Sequence, residues 1–252
     1  MPELVERRKN LSLEEFRARY AMPGVPVVLE GLADDWPSRN LWTLEFFREN
    51  YGDTDVTVYT SGRKTTPRVM QLDSYMAYME HTQDESPDYL RGWCLSEFPE
   101  LRAQYERPPH FPCWTDLLPR KTRPTWKWLF IGPARSGSAM HRDFMGTAAW
   151  NMLFEGEKKW WFYPPRPAEP SSSERGGLSC VQRPGDIIYT PSNWWHQVRN
   201  TTSTLALTEN FVNDTNGRYL CPEDDEDRRV FALLADHVPA VRNMSTAAGR
   251  CP

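Results

Sequence analysis

The chain has 252 residues, a formal net charge of -4, 39% hydrophobic and 25% charged side chains, a balance that suits one globular domain, alone or with an appendage. This charge gives no general drive toward nucleic acid or anionic membrane, and no apolar run approaches the roughly 18 residues of a membrane span. Five scattered cysteines (Cys94, Cys113, Cys180, Cys221, Cys251) form neither a disulfide framework nor a zinc pattern, and Met1 to Asn10 lacks the apolar stretch of a secretory signal. A soluble, intracellular protein is expected, in the cytoplasm or, in a eukaryotic cell, the nucleus.

Along the chain, Arg7-Arg8-Lys9 reads as a solvated helix face. Ser12 opens a helix through Arg19 with Glu15 completing a capping box. Val27-Val28-Leu29 is a strand closed by Gly31, Thr43 to Tyr51 a helix ended by Gly52, Val56 to Thr60 a strand, Leu72 to Glu80 an amphipathic helix and Tyr89 to Leu95 a strand. Pro108 to Pro119 is irregular. From Trp126 the period shortens: Trp126 to Ile131, Ser138 to Asp143, Thr147 to Phe154 and Lys158 to Tyr163 read as strands, with Gly156 in a turn. The Pro-, Ser- and Gly-rich loop from Pro164 to Gly177 either covers a pocket mouth or is a plain surface connection. Strands resume at Cys180 to Gln182, Asp186 to Thr190, His196 to Arg199 and Thr204 to Val212, and this succession suggests a sandwich or barrel. A helix at Asp224 to His237 precedes a small polar tail from Asn243, expected to be flexible. The acids Glu223 to Asp227 suit a helix start, although they also offer a site for a basic substrate.

His141 and Asp143, two apart on an expected strand, project from one face, and His196 starts another strand that a closed double sheet can bring beside them. Two His and one carboxylate leave the opposite face of a metal open, which suits non-heme iron(II); zinc accepts the same ligands. His-x-Asp alone is a weak signal, since each residue is equally at home as an ordinary strand-end or packed side chain. Of the adjacent Lys158 and Lys159, one can point inward, where a buried ammonium needs an anionic partner, or both can snorkel at the sheet rim. The eleven Trp residues fit an aromatic core or lined pocket.

The ordered motifs resemble a known family. Ile131-Gly132-Pro133-Ala134-Arg135-Ser136-Gly137-Ser138-Ala139-Met140-His141-Arg142-Asp143 resembles the metal-site segment of the jumonji-C (JmjC) hydroxylases. Gly146-Thr147-Ala148-Ala149-Trp150-Asn151, Gly156-Glu157-Lys158-Lys159-Trp160, Pro184-Gly185-Asp186 to Pro191, Trp194-Trp195-His196 and Leu207-Thr208-Glu209-Asn210-Phe211 continue the match, as do Tyr89 to Trp93 and Pro26 to Gly31. The likeness is to the small branch containing the lysyl hydroxylase once called the phosphatidylserine receptor, and it spans roughly residues 20 to 215.

The resemblance implies a mainly β chain with flanking helices, built on a double-stranded β-helix, the cupin-like jelly roll. It implies one structural domain overall: an α/β segment at 1–125, a JmjC core with the iron site at 126–215, and a C-terminal helix and flexible tail at 216–252. It implies Fe(II) on His141, Asp143 and His196, with 2-oxoglutarate and O2 as co-substrates and no further catalytic side chain. Lys158 and Thr208 are implied to hold the distal carboxylate. Asn151 is implied near the keto-acid end, Ser138 stands where relatives often have Thr, Tyr89 matches a pocket tyrosine, and Asn210 an outer-shell asparagine. The implied reaction is hydroxylation of an aliphatic C–H bond, of a protein or peptide side chain with Lys as leading target. The alternatives are a small metabolite or biosynthetic peptide as substrate, N-methyl-lysine demethylation, or a non-catalytic binding module. The relatives' nucleic-acid and nuclear roles are not carried over, because the chain is mildly acidic and short of their basic tails.

Overall fold

From Lys127 onward the chain alternates large and small or polar side chains, and each run becomes a strand with one face for each period. The computed structural model describes residues 3–61, 67–171 and 177–245. Its strands are β1 (Glu3–Leu4), β2 (Glu6–Lys9), β3 (Val27–Glu30), β4 (Asp55–Thr60), β5 (Arg68–Gln71), β6 (Asp88–Cys94), β7 (Lys127–Gly132), β8 (Gly137–His141), β9 (Ala148–Glu155), β10 (Lys158–Tyr163), β11 (Leu178–Gln182), β12 (Ile187–Thr190), β13 (Trp195–Asn200) and β14 (Thr204–Phe211). They form a larger sheet, β2-β3-β12-β9-β14-β7-β6-β4-β5, and a smaller one, β1-β11-β10-β13-β8. From β7 to β14 the chain passes back and forth between the two sheets and leaves four antiparallel strands in each, which is the double-stranded β-helix.

The alternation decides what faces inward. On β7, Leu129 and Ile131 join the main core with Phe47, Tyr75 and Leu90, while Trp128 and Phe130 face the space between the sheets. On β9, Trp150 and Met152 are core and Ala149 and Asn151 face the cavity; on β14, Leu205 and Leu207 are core and Thr208 and Asn210 face the cavity. The helices Leu44–Tyr51, Leu72–His81 and Asp225–His237 bury Phe47, Leu72, Tyr75, Met76, Met79, Val230 and Leu234 in this core, behind the larger sheet. Gly156 turns β9 into β10 at φ +84°, where a Cβ would stand 1.9 Å from the Ser203 carbonyl oxygen, so no other residue fits.

Some expectations change. Arg7-Arg8-Lys9 lies in strand β2, not on a helix: Arg7 bridges Glu30 and Asp186 at 2.8 Å each, ion pairs that only the folded chain creates. The helix after Ser12 ends at Phe16 and continues as one wide turn to Ala21; Ser12 accepts from the Glu15 amide, but the Glu15 side chain turns to Arg8 and Arg19. Pro239–Ser245 is helical where the flexible tail was expected to begin, and the rest of that tail lies outside the described residues. Asp224 caps its helix by accepting from the Asp227 amide, so the acidic run serves a helix start. Cys94, Cys113 and Cys180 are free thiols, whereas Cys221 is disulfide-bonded, a pairing that the scattered spacing did not suggest. Among the described residues, no helix is long and apolar enough to cross a membrane.

Candidate metal and keto-acid site

His141 ends β8 and is directly opposite His196 on β13, with ring centroids 4.1 Å apart. Asp143 is not on the strand as expected. β8 stops at His141, and Asp143 sits in extended backbone (φ -64°, ψ 146°) before the turn Phe144–Gly146, where Met145 adopts φ 55°. This left-handed conformation, uncommon for a non-glycine residue, reverses the chain immediately after the acid. The outcome for the site is what strand geometry would have provided: one ligand atom each from His141, Asp143 and His196 lie within 4.8 Å of one another.

Their surroundings fit a cation. His141 Nδ1 lies 2.8 Å from the Ala139 carbonyl oxygen and His196 Nδ1 3.1 Å from that of Trp194. A carbonyl only accepts, so each Nδ1 carries the proton and each Nε2 keeps its lone pair. Burial, reinforced by His141, holds His196 well below the usual histidine range and therefore in the neutral form a metal requires. Asp143 Oδ2 is sealed from solvent without a hydrogen-bond partner; burial raises this carboxyl, opposed by His141 and the Asn210 amide. A divalent cation would satisfy that orphaned oxygen together with the two lone pairs.

The β10 alternation resolves the two lysines. Lys158 points inward and is 1% exposed, whereas Lys159 faces solvent with its ammonium 5.0 Å from the Trp161 ring centroid. Lys158 Nζ donates to Tyr89 Oη and to Asn200 Oδ1, both at 3.0 Å, and has no carboxylate partner among the described residues. Desolvation brings its pKa down to about 7. Asn200, which sequence reading missed, is held in turn by donating to Ser136 Oγ at 2.8 Å.

A second chain of hydrogen bonds sets the polarity at Thr208. The Trp160 indole N–H, a donor only, gives to Gln182 Oε1 at 2.9 Å, and so Gln182 turns its amine toward Asn151 Oδ1 at 3.0 Å. Asn151 is then obliged to present its own amine to Thr208 Oγ1. Having accepted there, the Thr208 hydroxyl is left to donate into the cavity. Gln182 was also missed, because its role depends on a neighbour in each direction across two sheets.

One cavity of about 390 Å³ contains all the residues named in advance: His141, Asp143, His196, Lys158, Thr208, Asn151, Ser138, Tyr89 and Asn210 all line it. Trp128, Phe130, Phe144 and Trp160 supply apolar wall. None of the described residues of the Pro164 to Gly177 loop lines this cavity; the loop's Arg166 carbonyl accepts from the Trp195 indole at 3.0 Å. Residues 172–176 lie outside the described set.

A family model described as a cupin-like domain matches residues 13–170, and one described as a JmjC domain, hydroxylase, matches residues 174–211. The chain belongs to the cupin-like JmjC family. The JmjC chain is 36% identical to lysine-specific demethylase JMJ21 of Arabidopsis thaliana over 86% of its own length and 26% of that protein. It is 30% identical to the bifunctional arginine demethylase and lysyl-hydroxylase psr-1 of Caenorhabditis elegans, over 87% of its length and 63% of that protein. It is 24% identical to the 2-oxoglutarate and iron-dependent oxygenase JMJD4 of Mus musculus, over 84% and 61%. This JmjC chain thus spans about a quarter to under two thirds of the length of these relatives.

Proposed function

We propose that this JmjC chain is an iron(II)- and 2-oxoglutarate-dependent oxygenase that hydroxylates an aliphatic C–H bond in a protein or peptide side chain, with lysine as the leading target. The observation that carries the reading is the buried Lys158 side chain, without an acid partner among the described residues, in the same cavity as a His-Asp-His cluster with an open face. A zinc hydrolase with the same three ligands has no use for such an ammonium; a dicarboxylate does. The names of relatives, a lysyl-hydroxylase and an iron-dependent oxygenase, support the class and the target residue.

Bound iron with the keto acid would supply the oxidising power for C–H hydroxylation, yielding succinate and carbon dioxide. The chain's residues do the rest. His141, Asp143 and His196 are the proposed ligands, and Asp143 balances one of the two metal charges. Lys158 Nζ binds the far carboxylate of the keto acid, steered by Tyr89 and Asn200, and the Thr208 hydroxyl donates a second hydrogen bond to it. Asn151 and Ser138 line the passage between the two ends, and Asn210 stands behind Asp143. Trp128, Phe130 and Phe144 keep water from the reacting centre. We assign the chain from 1–125 through 126–215 to one working unit, since β6 and β7 pair along one sheet and Tyr89 reaches Lys158.

The test is succinate formation from 2-oxoglutarate with iron(II) and oxygen, followed by a peptide-library screen for a mass gain of one oxygen atom. Formaldehyde release instead would identify demethylation, the activity for which two relatives are named. A folded, reduced protein that neither binds iron(II) nor makes succinate would reject the reading.

A further inference from the structure

Two arginines line the cavity without serving the proposed metal or keto-acid positions. Arg91, on β6, is exposed at the rim; Arg142, between His141 and Asp143, is half-buried. Each guanidinium lies over a ring, Arg91 5.0 Å from the centroid of Tyr59 and Arg142 5.0 Å from that of Trp195. Stacking holds a guanidinium plane while its edge N–H groups stay free to donate. Neither arginine has a carboxylate partner among the described residues, unlike Arg7, Arg48 and Arg107, which each hold two. Among the described lining residues the one acid is Asp143, which faces the proposed metal, against three cations, Lys158, Arg91 and Arg142. The keto acid's far carboxylate would answer Lys158. No carboxylate among the described lining residues answers the two arginines.

We propose that Arg91 and Arg142 form a substrate subsite that receives carboxylates, so that the oxidised residue lies in an acidic peptide segment with Asp or Glu beside it. This rests on the oxygenase reading for the identity of the reaction, but not for the charge preference. The planar fork of each arginine fits a carboxylate bidentately, and partial burial of Arg142 limits screening by water. A segment rich in Lys or Arg around the target would instead set like charges beside two guanidinium groups, with no acid but Asp143 among the described lining residues to offset them. The acids Asp224 to Asp227 do not fill that role: they cap their own helix and line no part of the cavity.

The experiment uses the full chain loaded with manganese(II) and 2-oxoglutarate without oxygen, so that binding is read without turnover. Three fluorescein-labelled peptides share a central lysine and differ in their flanks: Asp and Glu, Asn and Gln, or Arg and Lys. Fluorescence anisotropy is followed at low and high salt. The acidic peptide should bind at least about tenfold tighter than the amide peptide, with the gap closing as salt rises. R91Q combined with R142Q should abolish the gap, and the pair of Arg→Lys changes, which keeps charge and loses the fork, should leave an intermediate one. Thermal melting identifies any variant that fails to fold, in which case the Arg→Lys pair and the salt series decide. Equal or tighter binding of the basic peptide, or an acidic preference that survives in the folded Gln variant, would overturn the subsite. Succinate formation by the wild-type chain without peptide is measured separately: its absence counts against the oxygenase reading and leaves the binding result standing.

Discussion

Lys158 should be mostly neutral above pH 7 when its cavity is empty, and charged when a dicarboxylate fills it. Its pKa is brought down to about 7 by burial between Tyr89 and Asn200, neither of which is charged. The bound dianion favours the ammonium and raises that pKa. Affinity for 2-oxoglutarate is therefore complete below about pH 7 and is lost as pH rises from the free toward the bound pKa, roughly tenfold per unit. Above that pH, binding of the dicarboxylate should therefore take up protons from solution. Titration calorimetry of the manganese(II)-loaded chain in phosphate and in Tris should show this as an enthalpy that depends on the buffer's ionisation heat. Lys158→Met should weaken binding about 10- to 150-fold, the equivalent of about 1.5–3 kcal/mol for hydrogen bonds to a charged group, and remove the buffer dependence. The empty variant should be no less stable, because a desolvated cation has gone and the Tyr89 hydroxyl can donate to Asn200. Buffer-independent heats at pH 8, or full affinity in Lys158→Met, would refute the placement of the carboxylate.

Three further perturbations separate the parts of the site. Asp143→Ala should lose iron(II) retention and succinate formation while melting near the wild-type temperature, checked by metal analysis and calorimetry. Trp160→Phe removes the donor that orders Gln182, Asn151 and Thr208; the KM for 2-oxoglutarate should rise about fivefold, the scale of one hydrogen bond of about 1 kcal/mol, with kcat less affected. Glu209→Gln, behind the cavity, strips the buried partner from Arg107 (2.7 Å) and Lys127 (3.4 Å) and should cost about 3 kcal/mol in urea unfolding.

How much of this was legible in the sequence follows from range. The β7 to β14 strands were readable because each has one face in a core and one toward the cavity, so period two survives in the residue order. The cavity residues were readable as members of motifs, and their convergence matches the implied jelly roll. What failed was set by partners distant in sequence. β2 has no apolar residue, and its ladder to β3 is supported by Arg7 reaching Glu30 and Asp186. Which of Lys158 and Lys159 points inward depends on register against β11 and β13, which a neighbouring pair cannot disclose. Asn200 and Gln182 carry no motif, and they matter because Lys158 and Trp160 lie against them. Asp143 arrived at the expected place by another route, a turn through Met145 that propensity disfavours.

The segment from Glu3 to Lys9 deserts one sheet and joins the other within a single residue. β1 runs alongside β11 of the smaller sheet, Val5 is buried at the crossing with its amide on the Ser179 carbonyl, and β2 runs alongside β3 of the larger. Seven residues thereby act as a strap over the flank of the sandwich. Sliding one sheet against the other would have to unzip both short ladders together, so the spacing between the sheet that carries His141, His196 and Lys158 and the sheet that carries Asn151 and Thr208 is guarded from the sandwich's flank.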